Sequence, residues 1–137
     1  MARRRSTAVW LVGIASAVIL LSSAAHGFLG WKAVRAAIAP RLDAEALQDL
    51  ALGWTYGSAA MAAFGVLGLA SAVQLRRGET SARIVPAVIG AAYALYGLAA
   101  TVYSGGNAHF PIAFVMPGVL LLAGALLAPA AADASAR

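Results

Sequence analysis

The stretch LALGWTYGSAAMAAFGVLGLASAVQL, residues 50–75, decides what kind of object this chain is. It holds no charged residue. As a helix it extends roughly 39 Å at ~1.5 Å per residue, while a bilayer core is ~30 Å thick. The run is read as a membrane-crossing helix. One face carries Trp54, Ser58, Met61, Gly65, Gly68 and Ala72, spaced by threes and fours, and Gly53 and Gly57 are also four apart. Small residues at such spacing let two backbones approach closely inside lipid. Gly53, Gly57 and Gly65 are therefore expected to be packing contacts, as are Gly90 and Gly97 further on.

The composition agrees with that reading. Hydrophobic residues make up 62 % of the 137 and charged ones 11 %, and the mean hydropathy is +0.82. A soluble domain is about a quarter charged, so the chain is too apolar to dissolve. It is also too poor in charge to be disordered. Its length suits one domain, residues 1–137. The net charge is +5, but the basic residues sit at the ends of apolar runs, where membrane topology accounts for them. Nucleic acid is not an expected partner. There is no cysteine, which excludes disulfides, thiolate catalysis, thiolate-bound iron–sulfur clusters and thioether-linked haem.

Outward from residues 50–75, three more spans are expected. Ala8 to Ala25 follows the basic head Arg3-Arg4-Arg5. Ser23-Ala24-Ala25 would suit a signal peptidase, but the apolar run exceeds the ~7–15 residues of a signal-peptide core, which favours a retained helix. In residues 26–49, Phe28, Trp31, Val34 and Ile38 share a helical face, with Lys32 and Arg35 off it. This is either an interfacial helix or the first helix continuing, and Pro40 ends it. Asp43 is placed to cap the next helix, and Glu45 puts negative charge in its first turn. The third span covers 84–104, with Pro86, Gly90, Tyr93, Tyr96, Gly97, Ala100 and Tyr103 on one face. That face is expected to point into protein, since a phenol in hydrocarbon needs a partner. Residues 105–110 form a tight turn. The fourth span covers 111–128 and is expected to kink at Pro117-Gly118. The tail from Pro129 to Arg137 is expected to fray.

The fold class is thus an all-α integral membrane protein with four antiparallel transmembrane helices, and an interfacial helix after the first span as an option. Arg3, Arg4, Arg5, Arg76, Arg77, Arg83 and Arg137 fall on one side. Lys32, Arg35 and Arg41 fall on the other, mixed with Asp43, Glu45 and Asp49. The positive-inside rule places both termini in the cytoplasm, in keeping with a bacterial inner membrane.

No motif names a reaction. The spans carry no Asp, Glu, Lys or Arg at mid-depth, which argues against a proton-coupled transporter. His26 and His109 are the only histidines; both fall at the outer surface, where they could ligate haem iron or a divalent metal. They lack paired spacing, so the plainer reading is interfacial capping. Tyr93, Tyr96 and Tyr103, facing Trp54, Ser58 and Met61, could line a small apolar pocket with a few polar points. The plainer reading is bundle core plus an aromatic belt of Trp31, Trp54, Tyr56 and Tyr103, with Trp10 at the inner boundary. The polar residues gather on the outer half, which places any ligand site among His26, Trp54, Tyr93, Tyr96, Tyr103, Asn107 and His109. A pocket is expected there between the first, third and fourth spans.

Three functional readings follow. The first is a non-catalytic module that binds a partner membrane protein, a lipid, a small hydrophobic ligand or a second copy of itself. The second is a membrane-embedded isomerase or oxidoreductase with haem or metal on the histidines. The third is an oligomeric channel or permease, against which the uncharged mid-bilayer weighs.

Overall fold

The structure, a computed structural model, describes residues 2–128. The tail from Pro129 to Arg137 lies outside the described residues. Among those described, every regular element is helical, and the elements join into four rods. Three rods are long and apolar enough to cross a membrane: Arg3–Arg41, Ala44–Arg77 and Thr80–Tyr103. The fourth, over Pro111–Leu127, is shorter.

The first rod is α1 (Ala2–Ala24), a wide π turn (Ala25–Gly30), α2 (Trp31–Ile38) and a 3-10 turn (Ala39–Arg41). Of the two arrangements expected after the first span, the continuous one is found. Gly27 and Gly30 lie inside the wide turn, and Pro40 ends the rod. Leu42 is extended, and the Asp43 carboxylate accepts from the Ala46 amide at 2.8 Å. That cap starts α3 (Ala44–Arg77).

The C-terminus of α3 is closed twice over. Gly78 takes a left-handed conformation at φ 97°, the Gly78 amide donates to the Leu75 carbonyl at 3.1 Å, and the Glu79 amide donates to Gln74 at 3.1 Å. This is the Schellman pattern. Arg5 then reaches across from α1: its Nε donates to the Leu75 carbonyl at 2.9 Å, and its guanidinium also donates to the Arg76 carbonyl. A cation at a helix C-terminus meets the negative end of the macrodipole. The basic head and the basic 76–83 turn therefore occupy one end of the bundle.

A 3-10 turn (Thr80–Arg83) leads into α4 (Ile84–Tyr103), and a π turn (Pro111–Val115) precedes α5 (Met116–Leu127). The break expected at Pro117-Gly118 falls earlier, over Pro111–Val115. Pro117 has no amide to offer the residue 113 carbonyl, and the helix widens upstream of it: the Met116 amide donates to Pro111.

Packing follows the order α3, α1, α5, α4. α1 lies against both α3 and α5, and α5 carries α4, while α3 and α4 meet only sparingly although a short turn joins them. Ala8, Val12, Ala15, Ser16 and Ile19 of α1 are buried. Glycines set the approach distances. A Cβ on Gly65 would lie 2.9 Å from the Leu20 Cα, and one on Gly124 2.7 Å from Val12. A Cβ on Gly68 would collide with the Ser16 hydroxyl. Gly90 and Gly118 face each other, each Cβ falling 2.7 Å from the other's carbonyl oxygen. Gly97 receives Phe114 and Val115 at about the same closeness.

Gly53 and Gly57 differ from expectation. Nothing lies within 4 Å of a Cβ on Gly53, and one on Gly57 would meet only the His26 ring, at 4.0 Å. Neither is a close contact between rods: at that level the first rod meets α3 through Ser58 and Trp54 instead, a Cβ on Gly27 falling 3.3 Å from the Ser58 hydroxyl and one on Gly30 falling 3.0 Å from the Trp54 ring. None of residues 44–64 is buried.

Gly68→Leu should therefore lower unfolding stability in detergent by about 1–3 kcal/mol, the usual size of overpacking, whereas Gly53→Leu should leave it unchanged. Melting curves of the two variants check this, and equal losses would contradict the packing order.

Candidate functional site

Where α3 and α4 part, they leave a lateral cavity of about 330 Å³. Gly57, Ala60, Met61 and Phe64 line it from α3, and Ala92, Tyr93 and Tyr96 from α4. His26 and Phe114 complete the lining. Each of these two lies in one of the π turns. A wide turn shifts the helical register and redirects the side chains it carries, so both interruptions feed the same cavity. The composition explains the opening: Gly57 and Ala60 present almost no side chain, while bulky rings stand on either side.

The wall is a chain of aromatic rings. Phe64 meets Tyr93 edge-on at 6.2 Å, Tyr93 meets Phe114 at 5.6 Å, and Tyr96 meets Phe114 at 4.8 Å. At the end of the cavity away from the arginine cluster, His26 stacks on Trp54 at 4.2 Å with the rings 7° from parallel. The Trp54 indole N–H donates to the His26 carbonyl at 2.8 Å, and Trp31 leans on the same indole at 6.0 Å. Trp54 thus holds the rim in place without lining the cavity.

The hydroxyls divide into two kinds. Ser16, Ser58, Ser71 and Thr101 each donate to the carbonyl four residues back, at 2.6 to 2.9 Å. Short side chains can satisfy themselves this way. Tyr93 cannot: its residue is 4 % exposed, and its hydroxyl oxygen is buried with no hydrogen-bond partner among the described residues. A phenol points too far from its own backbone to reach it. Leaving such a group unpaired costs about 1–3 kcal/mol.

Of the residues expected at a site, His26, Tyr93 and Tyr96 come together at the cavity, and Trp54 supports it. Tyr103 does not join them: it is 96 % exposed at the end of α4, because the face it shares with Tyr93 runs out past α5. Asn107 is a cap, its side-chain oxygen accepting from the His109 amide at 2.9 Å. His109 is exposed and rests against Phe110. Among the described residues no three metal-ligating side chains gather. The expected pocket between the first, third and fourth spans also takes in the second. Phe64 and Phe114 were absent from the sequence-based set, since a lone phenylalanine in an apolar helix carries no signal.

Tyr93→Phe removes the unpaired oxygen and keeps the ring. It should raise the unfolding free energy by about 1 kcal/mol, read as a higher melting temperature; a lower one would mean that the hydroxyl is already bonded.

Comparison with protein-family models, with curated proteins and with solved structures finds no match, so the functional reading rests on the cavity's own residues.

Proposed function

We propose that this chain is a four-span integral membrane protein whose α3–α4 groove binds a small hydrophobic ligand entering sideways from lipid. The observation that carries the reading is the buried Tyr93 hydroxyl, unpartnered among the described residues, in the wall of a largely apolar cavity. A few polar points on a largely apolar wall, here Tyr93 with His26 and Tyr96, orient a ligand that burial alone would leave free to tumble. The binding module is favoured over an enzyme because the groove offers a donor and ring surfaces but no set of side chains for acid–base or nucleophilic chemistry.

The fourth span rests on the apolar rod over Pro111–Leu127, at the short end of the ~17–25 residues a crossing takes. The orientation rests on Arg5 reaching the carbonyls at the end of α3. That contact gathers Arg3, Arg4, Arg5, Arg76, Arg77 and Arg83 at one end, which the positive-inside rule assigns to the cytoplasm. A bacterial inner membrane would suit this arrangement. The chain has no cysteine, so single cysteines at positions 79 and 107 report topology with an impermeant reagent on intact cells. Labelling is expected at 107 and not at 79, and the reverse overturns the orientation.

For the groove, a membrane-soluble alcohol bearing a diazirine is photolysed with the protein in lipid nanodiscs. Adducts should concentrate on peptides containing Met61, Phe64 and Tyr96, and Ala60→Phe, which fills the cavity, should remove them. Labelling spread evenly over the lipid-facing helices and unaltered by Ala60→Phe would defeat the reading.

A further inference from the structure

We propose that the groove selects a planar ring carrying a carbonyl oxygen, of the quinone or aryl-ketone class, over a flexible acyl chain. This rests on the lateral-groove reading above and narrows it. The first ground is the shape of the wall. Phe64, Tyr93, Tyr96 and Phe114 present faces and edges at ring-to-ring distances of 4.8 to 6.2 Å. Such surfaces match another flat ring, through offset or edge-on contact. An acyl chain gains no such geometry and loses rotor freedom on ordering.

The second ground is charge. No Lys or Arg lines the cavity. A fatty-acid carboxylate or a phospholipid phosphate would enter an apolar wall unpaired, which is strongly unfavourable. A neutral carbonyl needs one donor. The Tyr93 hydroxyl is such a donor, buried and without a partner among the described residues. The third ground is size. At about 330 Å³ the cavity sits near the lower bound of small-molecule pockets, ~300–1,000 Å³, which fits a bicyclic ring and not a diacyl lipid. The last ground is access. α3 and α4 touch sparingly, so Phe64 on α3 can move away from Tyr93 without breaking a close-packed seam.

The test titrates the full chain in nanodiscs with methylnaphthoquinone, methylnaphthalene and decanol, with binding read by equilibrium dialysis. Methylnaphthoquinone should bind saturably and most tightly. Tyr93→Phe should weaken it about fivefold to tenfold, the size of one hydrogen bond, and leave methylnaphthalene unchanged. Decanol binding as tightly as the quinone would overturn the proposal, as would a Tyr93→Phe variant with undiminished quinone affinity. If the diazirine probe marks the groove yet methylnaphthoquinone does not saturate, the ring class fails and the groove stands. If neither occurs, both fail.

Discussion

The structure depends on backbones that nearly touch. In lipid the tails are as apolar as the side chains, so burial drives no association, and helices join through dispersion and close contact. Here glycine makes that contact possible: Gly65 and Gly68 against Leu20 and Ser16, Gly124 against Val12, and Gly90 against Gly118. The α1–α3 seam is tightest at Gly65 and Gly68, and past it the first rod meets α3 through Ser58 and Trp54. The α4–α5 seam continues to Gly97, which receives Phe114 and Val115. Two seams of unequal length leave α3 standing away from α4, and the groove is the space between them.

The arginine end then acts as the clasp. Arg5 bonds the Leu75 carbonyl, which also accepts from the Gly78 amide, and the Arg76 carbonyl, at the point where α3 turns back through Gly78. A guanidinium suits this place because its donors are fixed in a fork and its charge opposes the helix dipole. Arginines that read as topology signals thus also hold the two longest rods together. The other end has no comparable fastening, only the Trp54–His26 stack and its single bond.

Much of this was legible in the sequence. The apolar runs, the stop at Pro40 and the Asp43 cap follow from local chemistry and lie where the residues place them. The register of packing does not follow from local chemistry. Gly53 and Gly57 have the same spacing as a true contact pair, yet the first rod meets α3 there through Trp54 and Ser58, a register set by the other rods. The tyrosine face of α4 was legible as a face, but its depth was not: Tyr93 meets Phe114 and is buried, while Tyr103, on the same stripe, lies beyond α5. The two wide turns were not legible either. A π turn has no composition of its own, and the Pro117 interruption surfaces upstream because the missing amide is felt by the preceding turn.

Those wide turns explain why the groove is lined as it is. A straight α-helix from Ala2 to Ile38 would carry the His26 side chain at the angle set by the 3.6-residue period. The extra residue in the turn rotates everything beyond it by about 100°, one helical step. The His26 carbonyl then receives the Trp54 indole as well as the Trp31 amide, and its ring lies along the groove. The same rotation at Pro111–Val115 brings Phe114 against Tyr93 and Tyr96. Each wide turn weakens its own rod, because its hydrogen bonds are poorer than those of an α-helix. Both occur at the groove, and both contribute a side chain to it. Packing of the rods alone does not require this: the tight seams elsewhere are built from regular helix. The two π turns, unlike the 3-10 turns at Ala39–Arg41 and Thr80–Arg83, thus each bring a side chain to the wall that holds the buried Tyr93 hydroxyl.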